Sequence, residues 1–203
     1  MAEKVFKLAV AKFGCIGAAP LLDLILDERA DREDLVIRGF TSGAKLDPGS
    51  CNVIVRQIID YAPDLVIIVS PNAALPGATG ARDTLAAAKL PTITISDGPS
   101  KKAFIGKDDD GKKVYKVADE QGFIILPADP MIGARREFLD PTEMSLFNGD
   151  VIKVLAACGV TRYIQLALDA VVSALKQGKI PEMPRLVAEA DEVARQAGFD
   201  NPY

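Results

Sequence analysis

The sequence predicts an α/β protein with a doubly wound, mainly parallel sheet followed by a helical region. Two observations support this prediction. In the first 140 residues, short apolar and β-branched runs alternate with segments of helical spacing, and such alternation is typical of βαβ units with right-handed crossovers. From Pro141 onward helical spacing predominates, so we expect a helical region packed beside the sheet.

Five strands are predicted from runs that are largely apolar, because a parallel strand covered on both faces needs no polar side. They lie at residues 7–12, 35–40, 65–69, 92–95 and 122–126. The helices between them are predicted at 21–26, 48–61 and 78–88. Asp47 and Pro48 support the start of the second helix, since aspartate is a favoured N-cap and proline suits the first helical position.

Three further helices are predicted after Pro141, at 142–155, 161–176 and 185–196. Gly159 and Gly178 separate them, and Pro184 precedes the last one, because glycine and proline commonly delimit helices. We therefore divide the chain into an α/β sheet domain with ligand-binding loops, residues 1–140, and a helical region, residues 141–203.

The charge composition argues against a nucleic-acid partner. The chain has 24 Lys and Arg against 28 Asp and Glu, a net charge of -4, whereas nucleic-acid binding requires a basic patch. The densest charge run, Lys107 to Lys113, is mixed in sign and centred on Asp110-Gly111, which predicts a solvated hairpin tip. Two interpretations are open for the segment 100–116 around it: a neutral surface insertion, or a lid beside the loop at Asp97.

Cysteine and histidine usage restricts the compartment and the chemistry. Cys15, Cys51 and Cys158 form no Cys-x-x-Cys pair, which argues against a disulfide framework and a structural zinc site. No apolar run approaches the ~18 residues of a membrane span, and no leader pattern is seen, so we expect a cytoplasmic protein. The absence of histidine excludes Ser-His and Cys-His nucleophile pairs. No metal is expected, and the chemistry must use carboxylates, lysines or a cofactor.

The candidate site lies in the loops that follow the strands. Ligands of open α/β sheets bind beyond the carboxyl ends of parallel strands, and four such loops carry small, turn-forming residues. They are residues 14–17, 70–77, 97–99 and 129–136. The Gly14-Cys-Ile-Gly17 turn lacks the three-glycine spacing of a dinucleotide fingerprint. Pattern alone therefore indicates a ligand-binding α/β protein.

The last of these loops contains Arg135 and Arg136. Adjacent arginines near Asp129 and Gly133 would suit an anionic ligand. Equally, these arginines could pair with Glu137 and Asp140 in a structural loop. The residues alone leave both interpretations open.

Long segments of the chain resemble the coenzyme F420-dependent methylenetetrahydromethanopterin dehydrogenase family. The segment from Ala128 to Met144, which reads ADPMIGARREFLDPTEM, is the longest unbroken part of the resemblance. The other segments are Leu26 to Arg32, Ser42 to Pro48, Ser70 to Asn72, Pro76-Gly77, Asn148, Asp150 to Ala156 and Asn201 to Tyr203. The resemblance thus spans nearly the whole chain. Because the family continues past the Asn-Pro-Tyr motif, we expect this sequence to lack the family's C-terminal section.

The resemblance implies reversible hydride transfer between methylenetetrahydromethanopterin and coenzyme F420 in archaeal one-carbon metabolism, by a homo-oligomer. It implies that the cofactor-binding residues are Lys12, Gly14, Gly17, Ser70, Pro71, Asn72, Pro76, Gly77, Asp97, Gly98 and Pro99. It implies that substrate contacts come from Met131, Gly133, Arg135 and Arg136. Asp129 and Glu137 are the implied catalytic carboxylates, which would stabilise the methenyl cation as it forms.

Two other functions are kept as alternatives. A non-catalytic pterin- or deazaflavin-binding carrier or regulatory homologue would be consistent with the loops at 15, 18–19, 73–75 and 78–80, which depart from the family pattern. The second alternative is a nicotinamide-dependent dehydrogenase of the same fold, and the missing three-glycine turn argues against it.

Overall fold

A six-stranded parallel sheet forms the centre of the protein. The computed structural model describes residues 5–14, 33–126, 157–196 and 198. In chain order the strands are β1 Phe6–Lys12, β2 Leu35–Thr41, β3 Leu65–Ser70, β4 Thr92–Asp97, β5 Ile105–Lys107, β6 Lys113–Tyr115, β7 Gln121–Leu126 and β8 Arg185–Val187. The main sheet has the order β2-β1-β3-β4-β7-β8, and every pairing in it is parallel. The predicted fold class is confirmed.

Helices cover both faces of this sheet. They are α1 Pro48–Tyr61, α2 Pro76–Ala87, α3 Lys101–Phe104, α4 Val160–Lys176 and α5 Ala190–Gln196. The predicted helices at 48–61, 78–88 and 161–176 are confirmed to within two residues at each end. Those predicted at 21–26 and 142–155 lie outside the described residues.

The alternation of side chains along the strands gives the sheet its two cores. In β3, Leu65, Ile67 and Val69 point to one face, where they pack with the apolar stripe of α4. Val66 and Ile68 point to the opposite face, where they pack with α1 and α2. All residues of β3, β4 and β7 are buried, as expected for central parallel strands covered on both sides.

The start of α1 follows from the sequence that precedes it. Asp47 accepts a hydrogen bond from the Ser50 amide at 3.0 Å and another from the Ser50 hydroxyl at 2.7 Å. Pro48 takes the first helical position, where its missing N–H costs nothing. The predicted N-cap is therefore confirmed.

Replacing Asp47 by asparagine tests the charge of this cap. The hydrogen bonds from the Ser50 backbone and side chain lower the pKa of Asp47 below its usual value of 3.8. A carboxyl group with a depressed folded pKa contributes stability above its unfolded pKa and loses it as the pH falls through the folded value. We expect Asp47→Asn to melt below the wild type at neutral pH, and the difference to shrink as the pH falls below about 3.8. Thermal melts followed by circular dichroism at several pH values measure this; a difference independent of pH would contradict it.

The helix predicted over 185–196 is wrong in its first part. Residues Arg185–Val187 form β8, which pairs in parallel with β7, and the helix is confined to Ala190–Gln196. The strand sits close to β7 because Gly122 has no side chain, and a Cβ there would lie 2.7 Å from the Pro184 carbonyl oxygen. The Phe123 amide donates to that oxygen at 2.7 Å. The region after residue 141 therefore contributes a strand as well as helices, while the division at residue 140 stays a prediction.

The hairpin whose tip was predicted at Lys107 to Lys113 is present. Strands β5 and β6 pair antiparallel, with Lys107 opposite Lys113. Asp108 accepts a hydrogen bond from the Lys112 amide at 2.8 Å, and Gly111 adopts a left-handed φ of 77°. The tip residues are exposed, as expected for a charged turn.

Within the described segments, no helix combines the length and the apolar character that crossing a membrane demands.

Candidate active site

The strand order places a crevice between β1 and β3. The chain passes from β1 to β2 on one side of the sheet centre, and from β3 to β4 on the other side. In open parallel sheets the loops that leave such a point in opposite directions form the ligand crevice, at the carboxyl ends of the strands. The loops that begin after Lys12 and Ser70 flank this crevice.

The loop after β1 is held against two neighbouring loops. Gly14 has a left-handed φ of 80°, which glycine adopts without steric cost. A Cβ at this position would lie 2.9 Å from the Leu46 side chain and 3.4 Å from Cδ of Pro71. Lys12 is half-buried at the end of β1. The loops after β1, β2 and β3 therefore meet at Gly14.

Ser42 ties the loop after β2 to the end of β1. Its amide donates to the Lys12 carbonyl oxygen at 3.0 Å. Its hydroxyl donates to the Lys45 carbonyl oxygen at 2.6 Å and lies 3.4 Å from the Gly14 amide, which donates to it. The hydroxyl thus fixes the approach of Leu46 to the crevice.

The loop after β3 turns sharply into α2. The Asn72 side-chain oxygen accepts from the Ala74 amide at 3.1 Å, and its backbone oxygen accepts from the Leu75 amide at 3.2 Å. Pro76 then begins the helix, whose start has no side-chain cap among the described residues. The positive end of the α2 dipole therefore lies beside the crevice, where it favours an anionic group.

A buried group of hydroxyls, the serine clamp (Ser96 and Ser100), holds this loop from beneath. The Ala73 amide donates to Ser100 Oγ at 2.8 Å and to Ser96 Oγ at 3.3 Å. Ser96 Oγ donates to the Ser70 carbonyl oxygen at 2.5 Å and lies 2.6 Å from Ser100 Oγ. Because the proton of Ser96 is used on Ser70, the Ser100 hydroxyl donates in the Ser96–Ser100 pair.

Arg82 extends this buried polar group into α2. Its side chain is 6% exposed, and burial lowers the pKa of its guanidinium. Nη2 donates to Thr79 Oγ1 at 3.2 Å, and the Thr79 hydroxyl donates to the Ala73 carbonyl oxygen at 3.2 Å. The guanidinium also lies 4.4 Å from the centre of the Phe104 ring, a favourable cation–π distance. Both polar groups of the Ala73 backbone are thus fixed by side chains.

The loop after β4 reaches the same edge of the sheet. Asp97 ends the strand, is 3% exposed and pairs in register with Leu126, the last residue of β7. Gly98–Ser100 continue as one turn of 3-10 helix. The ends of β1, β3 and β4 therefore lie at one sheet edge, as predicted, and of the first loop Gly14 is the residue that the structure describes.

Several predicted site residues lie outside the described residues. They are Gly17, Asp129, Met131, Gly133, Arg135, Arg136 and Glu137, and their assigned roles stay predictions. Among the described ones, Ser70, Pro71, Asn72, Pro76 and Gly77 lie in one loop and the helix turn that follows it.

Sequence reasoning missed the residues that support these loops: Ser42, Leu46, Thr79, Arg82, Ser96 and Ser100. A signal for one of them was present. Thr92, Thr94 and Ser96 alternate with isoleucine in a strand that is buried throughout, and buried hydroxyls require hydrogen-bond partners.

The described part of the chain has no group of three or more Cys, Asp or Glu side chains placed to hold a metal ion. The polar groups at the sheet edge are Lys12, hydroxyls, the Asn72 side chain, backbone groups and the Asp97 carboxylate. The lysine, hydroxyl and N–H groups among them suit an organic anion held by hydrogen bonds and charge.

The fold and the site define an open α/β protein that binds an organic ligand at the switch point of a parallel sheet. The family model for methylene-5,6,7,8-tetrahydromethanopterin dehydrogenase matches residues 6–203. The chain therefore belongs to the methylenetetrahydromethanopterin dehydrogenase family, as its resemblance predicted.

Individual relatives agree with this assignment. The F420-dependent methylenetetrahydromethanopterin dehydrogenase of Archaeoglobus fulgidus is 50% identical over 199 residues, which are 98% of this chain and 68% of that relative. The enzyme of the same name from Methanothermobacter marburgensis is 45% identical over 201 residues, 98% of this chain and 69% of the relative. A solved structure of F420-dependent methylene-tetrahydromethanopterin dehydrogenase, in complex with methylene-tetrahydromethanopterin and coenzyme F420, matches with a TM-score of 0.80. It is 37% identical and covers 98% of this chain and 70% of that one.

Proposed function

We propose that this protein is an enzyme that transfers a hydride reversibly between methylenetetrahydromethanopterin and coenzyme F420. The observation that carries the proposal is the match of residues 6–203 to the dehydrogenase family. The loops that meet at the β1–β3 crevice provide a place for the two ligands. The relatives at 50% and 45% identity are named as this dehydrogenase. The carrier alternative has no comparable support.

The residues of the crevice suit a reaction between two organic ligands. When bound, F420 supplies a deazaflavin ring that takes up or gives back the hydride. The protein must hold the two ligands in contact and exclude water. The hydrogen bonds of Ser42 and the serine clamp fix the flanking loops for this purpose. The buried Ser70 hydroxyl, which has no hydrogen-bond partner among the described residues, is a donor at the end of β3.

We assign individual roles by the family resemblance. Deazaflavin binding goes to Lys12, Gly14, Gly17, Ser70, Pro71, Asn72, Pro76, Gly77, Asp97, Gly98 and Pro99. Pterin binding goes to Met131, Gly133, Arg135 and Arg136. Asp129 and Glu137 act on the methenyl cation, because a carboxylate near the developing positive charge stabilises it.

We further propose a cytoplasmic homo-oligomer that acts in archaeal one-carbon metabolism, in methanogenesis or its reverse. The support for the assembly is the family resemblance, which implies a homo-oligomer.

The function is tested by adding methylenetetrahydromethanopterin to purified protein and oxidised F420. We expect loss of the deazaflavin absorbance that depends on the pterin, because the hydride reduces the ring. Deuterium in the methylene group should slow the reaction if hydride transfer limits the rate. NAD⁺ or NADP⁺ in place of F420 provides the control and should give no turnover.

Two other outcomes would reject the proposal in different ways. Tight binding of F420 without bleaching would favour the carrier function. Failure to bind F420 at all would mean that the loops of this chain hold another ligand.

A further inference from the structure

An open groove of about 790 Å³ lies beside the loop after β4. One wall is the Gly98-Pro99 turn, which is part of the predicted cofactor site. The short helix α3, the β5–β6 hairpin and Val187, at the end of β8, also line the groove. The groove therefore opens at the same sheet edge as the crevice.

Four lysines give this groove its charge. Lys101 and Lys102 come from α3, Lys107 from β5 and Lys113 from β6, while Glu189 is the one acidic residue among the lining residues described. None of the four lysines forms an ion pair with any residue in the described segments. The lining therefore has an excess of positive charge, four lysines against the one carboxylate of Glu189 among the described lining residues.

The two hairpin lysines face each other. Lys107 and Lys113 are register partners in the antiparallel pair, and like charges directly opposite in such a pair are destabilising. An anion bound between them would remove this repulsion. A negatively charged ligand is therefore favoured at this end of the hairpin.

The groove and the crevice are neighbours. Adjacent strands lie about 4.8 Å apart, so the end of β4 is about one strand spacing from the end of β3, which flanks the crevice. Coenzyme F420 carries its deazaflavin on a flexible side chain with a phosphodiester and γ-linked glutamates. A ring in the crevice can therefore extend an anionic side chain over Gly98 and Pro99 into the groove.

We infer that this lysine groove binds the anionic phosphate and glutamate side chain of F420. The inference rests on the proposed function and deepens it, because it separates recognition of the side chain from recognition of the ring. The hairpin is then part of the cofactor site instead of a neutral surface insertion.

The test is the single variant Lys107→Glu, measured against two ligands. The probes are F420 and an analogue that keeps its deazaflavin ring and ribityl chain but has no phosphate or glutamates. Each is titrated by fluorescence at low and at high salt. We expect the Kd for F420 to rise about tenfold at low salt and less at high salt, because an exposed charge contact is screened. The Kd for the analogue should not change.

The variant should weaken F420 binding without lowering the stability of the protein. The introduced carboxylate would face Lys113 as an attractive pair, so the melting temperature should stay the same or rise. A merely structural role of Lys107 would lower affinity and stability together. Lys112→Glu, which lies in the same hairpin but outside the lining residues, is the matched control and should leave both affinities unchanged.

The outcomes separate this inference from the proposed function. If the wild type reduces F420 and Lys107→Glu binds F420 with unchanged affinity, the groove inference is wrong and the dehydrogenase stands. Equal weakening of both ligands would also overturn the inference. If the wild type binds neither ligand, the inference and the proposed function both fail.

Discussion

Replacing Gly77 by alanine is expected to destabilise the protein strongly and to abolish cofactor binding. A Cβ at Gly77 would lie 2.1 Å from the Leu46 carbonyl oxygen and 2.9 Å from Sγ of the buried Cys51. The first of these contacts is with backbone, which cannot rotate away as a flexible side chain can. Helix α2 must therefore move away from α1 and the loop after β2. Overpacking of this kind costs typically about 1–3 kcal/mol, and we expect the upper end of that range.

The same movement should affect the crevice. Gly77 follows Pro76 at the start of α2, so a displaced helix carries the loop that contains Pro71 and Asn72 with it. We expect F420 binding too weak to measure by fluorescence titration. Stability is measured by urea unfolding at room temperature.

Gly80→Ala is the matched control for this prediction. Gly80 lies in the same helix, and a Cβ there would meet no atom within 4 Å. Alanine is a better helix former than glycine by about 0.8–1 kcal/mol, so Gly80→Ala should be as stable as the wild type or more stable. Equal stability of the two variants would mean that the close contact at Gly77 does not exist.

Replacing Ser100 by alanine is expected to weaken cofactor binding more than it slows turnover. The Ala73 amide would lose its 2.8 Å hydrogen bond and keep only the 3.3 Å contact with Ser96. A buried donor left poorly satisfied costs about 1–3 kcal/mol. Part of that cost appears as loss of stability, and part as loss of order in the loop that contains Asn72. Ser100 is thus a positioning residue, because it acts on the loop and not on the ligand.

The measurement is a comparison of KM for F420 with kcat, together with urea unfolding. We expect KM to rise several-fold with a smaller change in kcat, and partial recovery in Ser100→Cys, which keeps a weak hydrogen-bonding group of similar size.

Thr84→Ala is the control. The Thr84 hydroxyl is exposed and bonds only the Gly80 carbonyl oxygen at 2.8 Å, so its loss should change stability by less than about 0.5 kcal/mol. A variant of Ser100 that behaves like this control would remove the serine clamp from the description of the site.

Much of the fold follows from the sequence because the strongest signals are local. Residues Leu65 to Val69 are apolar throughout, which marks a strand buried on both faces. Asp47-Pro48 marks the start of a helix by capping chemistry. The sheet edge on which the loops meet also follows, because parallel strands must end together.

Strand β8 could not be predicted in the same way. Arg185–Val187 has three residues, too few for a periodic pattern, and the following segment has helical spacing. What fixes the strand is the space above Gly122, a position far earlier in the chain. Tertiary contacts of this kind override local preference.

The candidate site also contains features that local sequence signals predict and features that only tertiary contacts fix. The position of Asn72 and Gly98 in loops at the sheet edge could be predicted because turns have characteristic compositions, while their binding roles stay predictions. The serine clamp was not found because its members, Ser96 and Ser100, act on a loop that is distant in sequence. The lysine groove likewise depends on the pairing of Lys107 with Lys113 and on the presence of Val187 in its lining, and neither is visible along the chain.

The position of β8 has a consequence for how the protein is made. Strand β7 pairs with β4 on one side and with β8 on the other. During synthesis, the ribosome must add all residues up to Val187 before the second side of β7 can be paired. Until then Phe123, Ile124 and Ile125 form an open apolar edge, and such edges bind other chains. The nascent protein therefore passes through an interval in which the free edge of β7 is available for pairing with another chain.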